Sequence, residues 1–237
     1  MMSSRILNHI HLPSEKELPL YLVRFFMIGI VGILLPVSRP LFVKLTPFVL
    51  IGCLTLILFY EFTATRKRGT GYFITFVIIV YLLSLSVEIV GVNTGILFGH
   101  YCYGPTLGLQ VAHTPIIIGI SWLILILGSA SISTGLSSFM GFAGTRYIDA
   151  IFRIITASFL TVSFDFILER VAPWMEMWSW QTPRIPGRNY LAWLLISLVF
   201  QSYYVLARIQ QRTRVAGNLF VLLFLFFLLL LLYLYFF

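Results

Sequence analysis

The sequence predicts an all-α protein, a polytopic transmembrane bundle of about seven helices. Two observations carry that reading. Of 237 residues, 59% are hydrophobic and only 10% charged, whereas a soluble domain carries about a quarter charged residues. The apolar residues also gather into runs close to the ~20 residues that cross ~30 Å of hydrocarbon.

Taken in order, residues 1–19 are polar and read as a cytoplasmic amino-terminal arm, and 20–237 as a single bundle. Apolar runs fall at about 20–38, 42–63, 72–92, 114–132, 147–168, 189–207 and 217–237. Arg24 interrupts the first near one end, where its long side chain can snorkel to the interface. That run ends in Ser38-Arg39-Pro40 rather than at a small-residue cleavage site, so it reads as a helix and not a signal peptide. The last run, almost wholly Leu, Phe and Tyr, reads as a lipid-facing closing helix. Cys53 and Cys102 form no CxxC pair and read as two free thiols.

The net charge of +8 does not point to nucleic acid, because the basic residues sit in short clusters between apolar runs. One side of the predicted topology collects eleven, namely Arg5, Lys16, Arg24, Arg66, Lys67, Arg68, Arg146, Arg153, Arg208, Arg212 and Arg214. The other collects Arg39, Lys44, Arg170, Arg184 and Arg188. The positive-inside bias then makes the amino terminus cytoplasmic, in an integral protein of the cell membrane whose immediate partners are lipids.

Only eight acidic residues exist, so their placement is informative. Glu61 reads as an interfacial ion-pair partner of Arg66–Arg68, and Asp149 as a first-turn acid favoured by the helix dipole. Glu88 and Asp165 differ, since each lies within an apolar run. A carboxylate there costs a few kcal/mol, usually faces the bundle interior and usually serves a function. The topology puts both toward the same, non-cytoplasmic end. The loops at that end are rich in aromatic residues, with Tyr101 and Tyr103 in one, and Trp174, Trp178 and Trp180 in the other. An interfacial aromatic belt accounts for Trp174, whereas the other two pairs flank the buried acids.

Several classes are excluded. Four histidines are too few for the clustered motifs of a membrane di-iron oxygenase, and no metal site is expected. No GxGxxG or phosphate loop is present. The lysines, Lys16, Lys44 and Lys67, leave none in the last helix for a retinal Schiff base.

The spacing Glu88-x-x-Gly91-x-x-Thr94-Gly95-x-x-Phe98-Gly99-x-Tyr101-x-Tyr103, followed by Pro115 and Trp122, resembles the central signature of the membrane carotenoid hydratases. These are the γ-carotene and bisanhydrobacterioruberin hydratases of bacteria and archaea. Asp165-x-x-Leu168-Glu169-x-x-Ala172, Trp178-Ser179-Trp180 and Ile185-Pro186-x-x-Asn189-Tyr190-x-x-Trp193 resemble that family's later blocks. The resemblance covers residues 75–195. It departs at Gln181-Thr182-Pro183-Arg184, which is short and basic where the family often carries a longer Gly/Tyr-rich stretch.

The resemblance implies a cofactor-independent hydro-lyase that adds water to the terminal 1,2 double bond of an acyclic carotenoid ψ-end. Its partners would be the carotenoid, membrane lipids and other carotenoid biosynthesis enzymes. The chemistry needs an acid to protonate the alkene, stabilisation of the tertiary carbocation, and a positioned water. A general acid must hold a proton at neutral pH, which apolar surroundings favour. Asp165 is expected as donor and Glu88 as the water-orienting base, with the reverse assignment open. Aromatic faces of Trp178, Trp180, Tyr101 and Tyr103 suit the cation, and Asn93, His100 and Asn189 suit the attacking water. Thr94, Phe98, Trp122, Glu169, Tyr190 and Trp193 complete the expected substrate-binding set. Two alternatives stand beside this reading. A carotenoid end-group cyclase or isomerase begins with the same protonation, and a small transporter could use the acids as a proton relay.

Overall fold

The computed structural model describes residues 13–64, 70–211 and 213–237. Its helices are α1 (Leu18–Leu34), α2 (Arg39–Lys44), α3 (Thr46–Ala64), α4 (Thr70–Thr94), α5 (Ile117–Phe139), α6 (Arg146–Val171), α7 (Gly187–Leu206) and α8 (Val215–Phe236). Four very short strands sit in the connections: β1 (Tyr101–Tyr103), β2 (Gln110–Val111), β3 (Thr114–Pro115) and β4 (Trp178–Trp180). The protein is therefore an all-α membrane bundle. Among the described residues, six helices, α3 to α8 without a gap, are long and apolar enough to span a bilayer. The seventh apolar helix, α1, has 17 residues.

The helix starts follow local chemistry. Pro19 and Pro40 occupy the first turns of α1 and α2, where a missing N–H costs nothing. The run expected over 42–63 is divided at Leu45, so that α2 is a short piece preceding α3. Asp149 lies in the first turn of α6, accepts a hydrogen bond from Ser137, and meets Arg153 at 3.4 Å. The ion pair expected between Glu61 and Arg66–Arg68 falls on arginines and a lysine outside the described residues. Glu61 Oε1 accepts from the Thr213 backbone N–H at 3.1 Å and hydroxyl at 2.6 Å, tying α3 to the α7–α8 connection.

The bundle is built around α5. Of its membrane window 72% is buried, against 22% for α3, and α5 packs against α3, α4, α6, α7 and α8. Midway along α5 the core is polar. Gln201 Nε2 donates to the Ile126 carbonyl at 3.1 Å and to Ser129 Oγ at 3.0 Å, and Ser129 pairs with Thr161 at 3.1 Å. In lipid, such bonds between helices replace the hydrophobic drive that water would supply. The closing helix α8 is not simply lipid-facing. Val215, Ala216, Leu219 and Leu230 are fully buried against α5, α6 and α1, because a helix apolar all round can turn one stripe inward and leave the other in lipid.

Both cysteines are free, Cys53 buried in α3 and Cys102 exposed in β1. Trp174, expected in an interfacial belt, lies under the Arg39 guanidinium at 4.3 Å from its ring centre.

Candidate active site

Five segments converge at one end of the bundle. They are the last turns of α4 and α6, the first turns of α5 and α7, and a small sheet between the two long connections. In that sheet β1 pairs with β4 antiparallel, setting Tyr101 opposite Trp180 and Tyr103 opposite Trp178. Side chains alternate along a strand. Both tyrosines and both tryptophans therefore point to one face, while Cys102 and Ser179 pair on the other, 3.3 Å apart.

Two glycines let the backbone come this close. A Cβ on Gly91 would overlap the Phe98 ring, and one on Gly104 would overlap the Glu176 carbonyl. Gly104 N–H instead donates to the Met177 carbonyl at 2.9 Å, which locks the sheet's end.

Glu88, in α4, is 3% exposed, and both its oxygens are occupied. Oε2 accepts from the Tyr101 phenol at 2.7 Å and the Tyr103 phenol at 2.8 Å, and Oε1 accepts from the Trp122 indole at 2.9 Å. Burial first, and the neighbouring Glu88 second, hold both phenols well above the usual tyrosine range, so each remains an O–H donor.

Glu169 mirrors this arrangement. Its Oε2 accepts from the Trp178 indole at 2.9 Å and the Trp180 indole at 2.6 Å, and its Oε1 from Asn189 Nδ2 at 3.3 Å. The same Asn189 amide donates to Asp165 Oδ2 at 3.0 Å. Asp165 and Glu169 are four residues apart on one face of α6, as 3.6 residues per turn requires. Asp165 Oδ1 is buried with no hydrogen-bond partner among the described residues.

The halves α4–β1–α5 and α6–β4–α7 thus follow one plan: a carboxylate near a helix end, two aromatic donors on a strand, and a further donor in the next helix. Trp122 and Trp193, from the early turns of α5 and α7, stack with ring centres 4.0 Å apart and planes 17° from parallel.

A cavity of about 50 Å³ lies between the halves, with Glu88 and Glu169 both in its wall. Phe98, Tyr101, Tyr103, Trp122, Trp178, Trp180, Asn189 and Trp193 also line it. Not every expected residue does. Asp165 is absent from the lining and joins Glu169 through the shared Asn189 amide. Asn93, Thr94 and His100 are exposed outside the cavity. Asn93 braces the loop through the Ala112 carbonyl at 2.9 Å and His113 at 2.9 Å, and Thr94 bonds the Val90 carbonyl at 2.6 Å. Tyr190, half-buried, packs on Phe166 with ring centres 5.6 Å apart. Ser121, Ile118, Leu125, Leu168 and Met177 complete the lining, and nothing in their residue types marks them out from sequence.

Residues 45–237 match the family described as carotenoid biosynthesis protein. The chain belongs to that family. A similar curated protein is the bisanhydrobacterioruberin hydratase of Haloarcula japonica, 26% identical over 127 residues. The match covers 48% of this chain and 38% of the hydratase, so the chain spans well under half of that relative's length. No solved structure matches. The family places this membrane protein in carotenoid biosynthesis.

Proposed function

We propose that this family member is a hydratase that adds water to the terminal 1,2 double bond of an acyclic carotenoid ψ-end. The observation that carries the reading is the pair of carboxylates, Glu88 and Glu169, facing one aromatic-lined cavity.

Among the described residues, Glu88 and Glu169 each receive only N–H and O–H donors, whereas Asp165 keeps one oxygen without a partner. Two carboxyl groups bridged by one Asn amide are suited to sharing a single proton. The Asp165–Glu169 pair supplies that proton, with Glu169 as the member that reaches the cavity. The alkene's π electrons take it to form a C–H bond at the less substituted carbon, leaving a tertiary cation at the other. The faces of Trp178, Trp180, Tyr101 and Tyr103 stabilise the cation, by up to about 2 kcal/mol each when desolvated. A water oxygen closes the C–O bond and gives a proton to Glu88. Proton return from Glu88 to the pair restores the starting state. The net change is addition of one water without oxidation or reduction.

The Lys and Arg distribution supports an amino terminus on the cytoplasmic side of the cell membrane. Arg5, Arg66, Lys67, Arg68 and Arg212 of that count lie outside the described residues. Other carotenoid biosynthesis enzymes are the natural neighbours of a protein that draws its substrate from lipid.

Expression in a lycopene-accumulating host tests the proposal. Pigments heavier by one water per reacted end support hydration. Pigments of unchanged mass with new ring end groups indicate a cyclase, and unaltered pigment overturns both.

A further inference from the structure

The acid cavity is too small for its substrate. About 50 Å³ holds a few water molecules and little more. A second cavity of about 130 Å³ adjoins it, walled by α1, α3, α5, α6 and α8. The two share Ser121, Leu125, Leu168 and Met177, each of which lines both.

The second cavity differs in character. Among the described residues, Thr46 and Ser121 supply its only polar side chains. A cavity of roughly this size lined by Leu, Ile and Phe stays dry and accepts a six-carbon hydrocarbon. At its outer edge Phe25 and Ile28 of α1 are 52% and 63% exposed on the face the bundle turns to lipid. The void therefore has a lipid side and an acid side, with a four-residue wall between. Met177 is unbranched and readily changes rotamer, and Ser121 is small, so that wall is thin and adaptable.

We propose that this groove between α1 and α3 is the lateral entry and seat for the shaft of a long acyclic polyene, whose terminal isoprene unit passes Ser121 and Met177 to reach the acids. The proposal rests on the hydratase reading for what happens at the end of the path, but not for the path itself. Helix α1 then forms one wall of a slot that opens to the acyl chains. A polyene fits this slot better than a headgroup-bearing lipid, since the lining offers no cation and no cluster of donors.

The test uses purified protein in nanodiscs. Binding of an acyclic carotenoid is read by quenching of tryptophan emission, and turnover by mass. Gly29→Phe fills the groove from α1, and Leu50→Trp fills it from α3. Gly52→Ala is the control, because Gly52 lies on α3 outside the groove lining and an added Cβ there meets open space. A second substrate is a short acyclic hydrocarbon of two isoprene units with the same end group, which does not need the groove.

The expected result is a loss of about tenfold or more in carotenoid binding and turnover in both filled variants. Gly52→Ala behaves as wild type, and the short hydrocarbon is hydrated normally throughout. Normal carotenoid handling by the filled variants overturns the proposal. Equal loss of both substrates also overturns it, because the damage then reaches the acids rather than the path. If wild type binds carotenoid, the filled variants do not, and neither substrate gains water, the groove stands and the hydratase reading falls. Should the filled variants not fold, a diazirine carried mid-chain on the polyene tests wild type directly. Labels in α1 and α3 support the path, and labels confined to other helices overturn it.

Discussion

Tyr101 lies opposite Trp180 across the two-stranded sheet with ring centres 5.2 Å apart, yet their polar ends serve different acids. The phenol donates to Glu88 and the indole to Glu169. A single rung of sheet therefore sets the spacing of the two carboxylates, and moving either strand by one residue would turn its rings to the other face.

Removing the carboxylate that faces the cavity should be most damaging. Glu169→Gln and Glu88→Gln keep the shape and remove the acid–base function, and each should lower turnover by about 100-fold or more. Pigment mass in a carotenoid-producing host reads the outcome, and two variants of normal activity would end the acid–base scheme.

Asp165→Asn separates a proton-sharing partner from the group in the wall. It should reduce turnover less than Glu169→Gln does, while leaving carotenoid binding unchanged. A larger loss than Glu169→Gln would return the donor's role to Asp165.

The phenols of Tyr101 and Tyr103 stay neutral because burial and Glu88 both raise their pKa. A raised pKa extends the O–H form to higher pH, so neither should ionise where a free tyrosine does, at about pH 10. Ultraviolet titration of the folded protein through that range should therefore give the same curve for wild type and the Tyr101→Phe, Tyr103→Phe double variant. An early phenolate signal lost in the variant would contradict this.

Gly104→Ala places a methyl group against the Glu176 backbone, which has no side-chain freedom with which to yield. Gly91→Ala meets the Phe98 ring, which can tilt. Gly104→Ala should therefore lower the thermal midpoint more, at a cost of about 2 kcal/mol or more, and should weaken the β1–β4 pairing. Hydrogen exchange at the Gly104 amide is the direct probe.

Gln201→Leu leaves Ser129 without its amide donor deep in the bundle. Interhelical bonds of this kind average about 0.6 kcal/mol and reach about 1.7. A small drop in thermal stability with carotenoid turnover retained is expected, measured in the same detergent as wild type.

The helices can be read from the chain because lipid imposes one length and one composition on every span. Breaks within a run are harder to read. Leu45, between α2 and α3, is as apolar as its neighbours, so hydropathy runs straight across the division. Glu169 reads from sequence as a substrate-binding residue rather than an acid facing the cavity, because the fifth apolar run ends at 168. The structure carries that helix to Val171, which places Glu169 one turn above Asp165. The sheet is illegible for another reason. Three-residue strands leave no periodic signal, and their partners lie 75 or more residues apart, bridged by α5 and α6. The repeated plan of the two halves is equally hidden, since one uses phenols 13 and 15 residues beyond its acid, and the other indoles at 9 and 11.

The hydrogen bonds to each glutamate come from within its own helical hairpin: Tyr101, Tyr103 and Trp122 for Glu88, and Trp178, Trp180 and Asn189 for Glu169. Biogenesis can exploit this. A nascent hairpin enters the bilayer with its costly carboxyl group already chaperoned by its own loop, so neither has to wait bare for the other. Docking then joins two finished modules. Such a division makes the chain a natural candidate for severing in the α5–α6 turn and recovery by co-expression of the pieces.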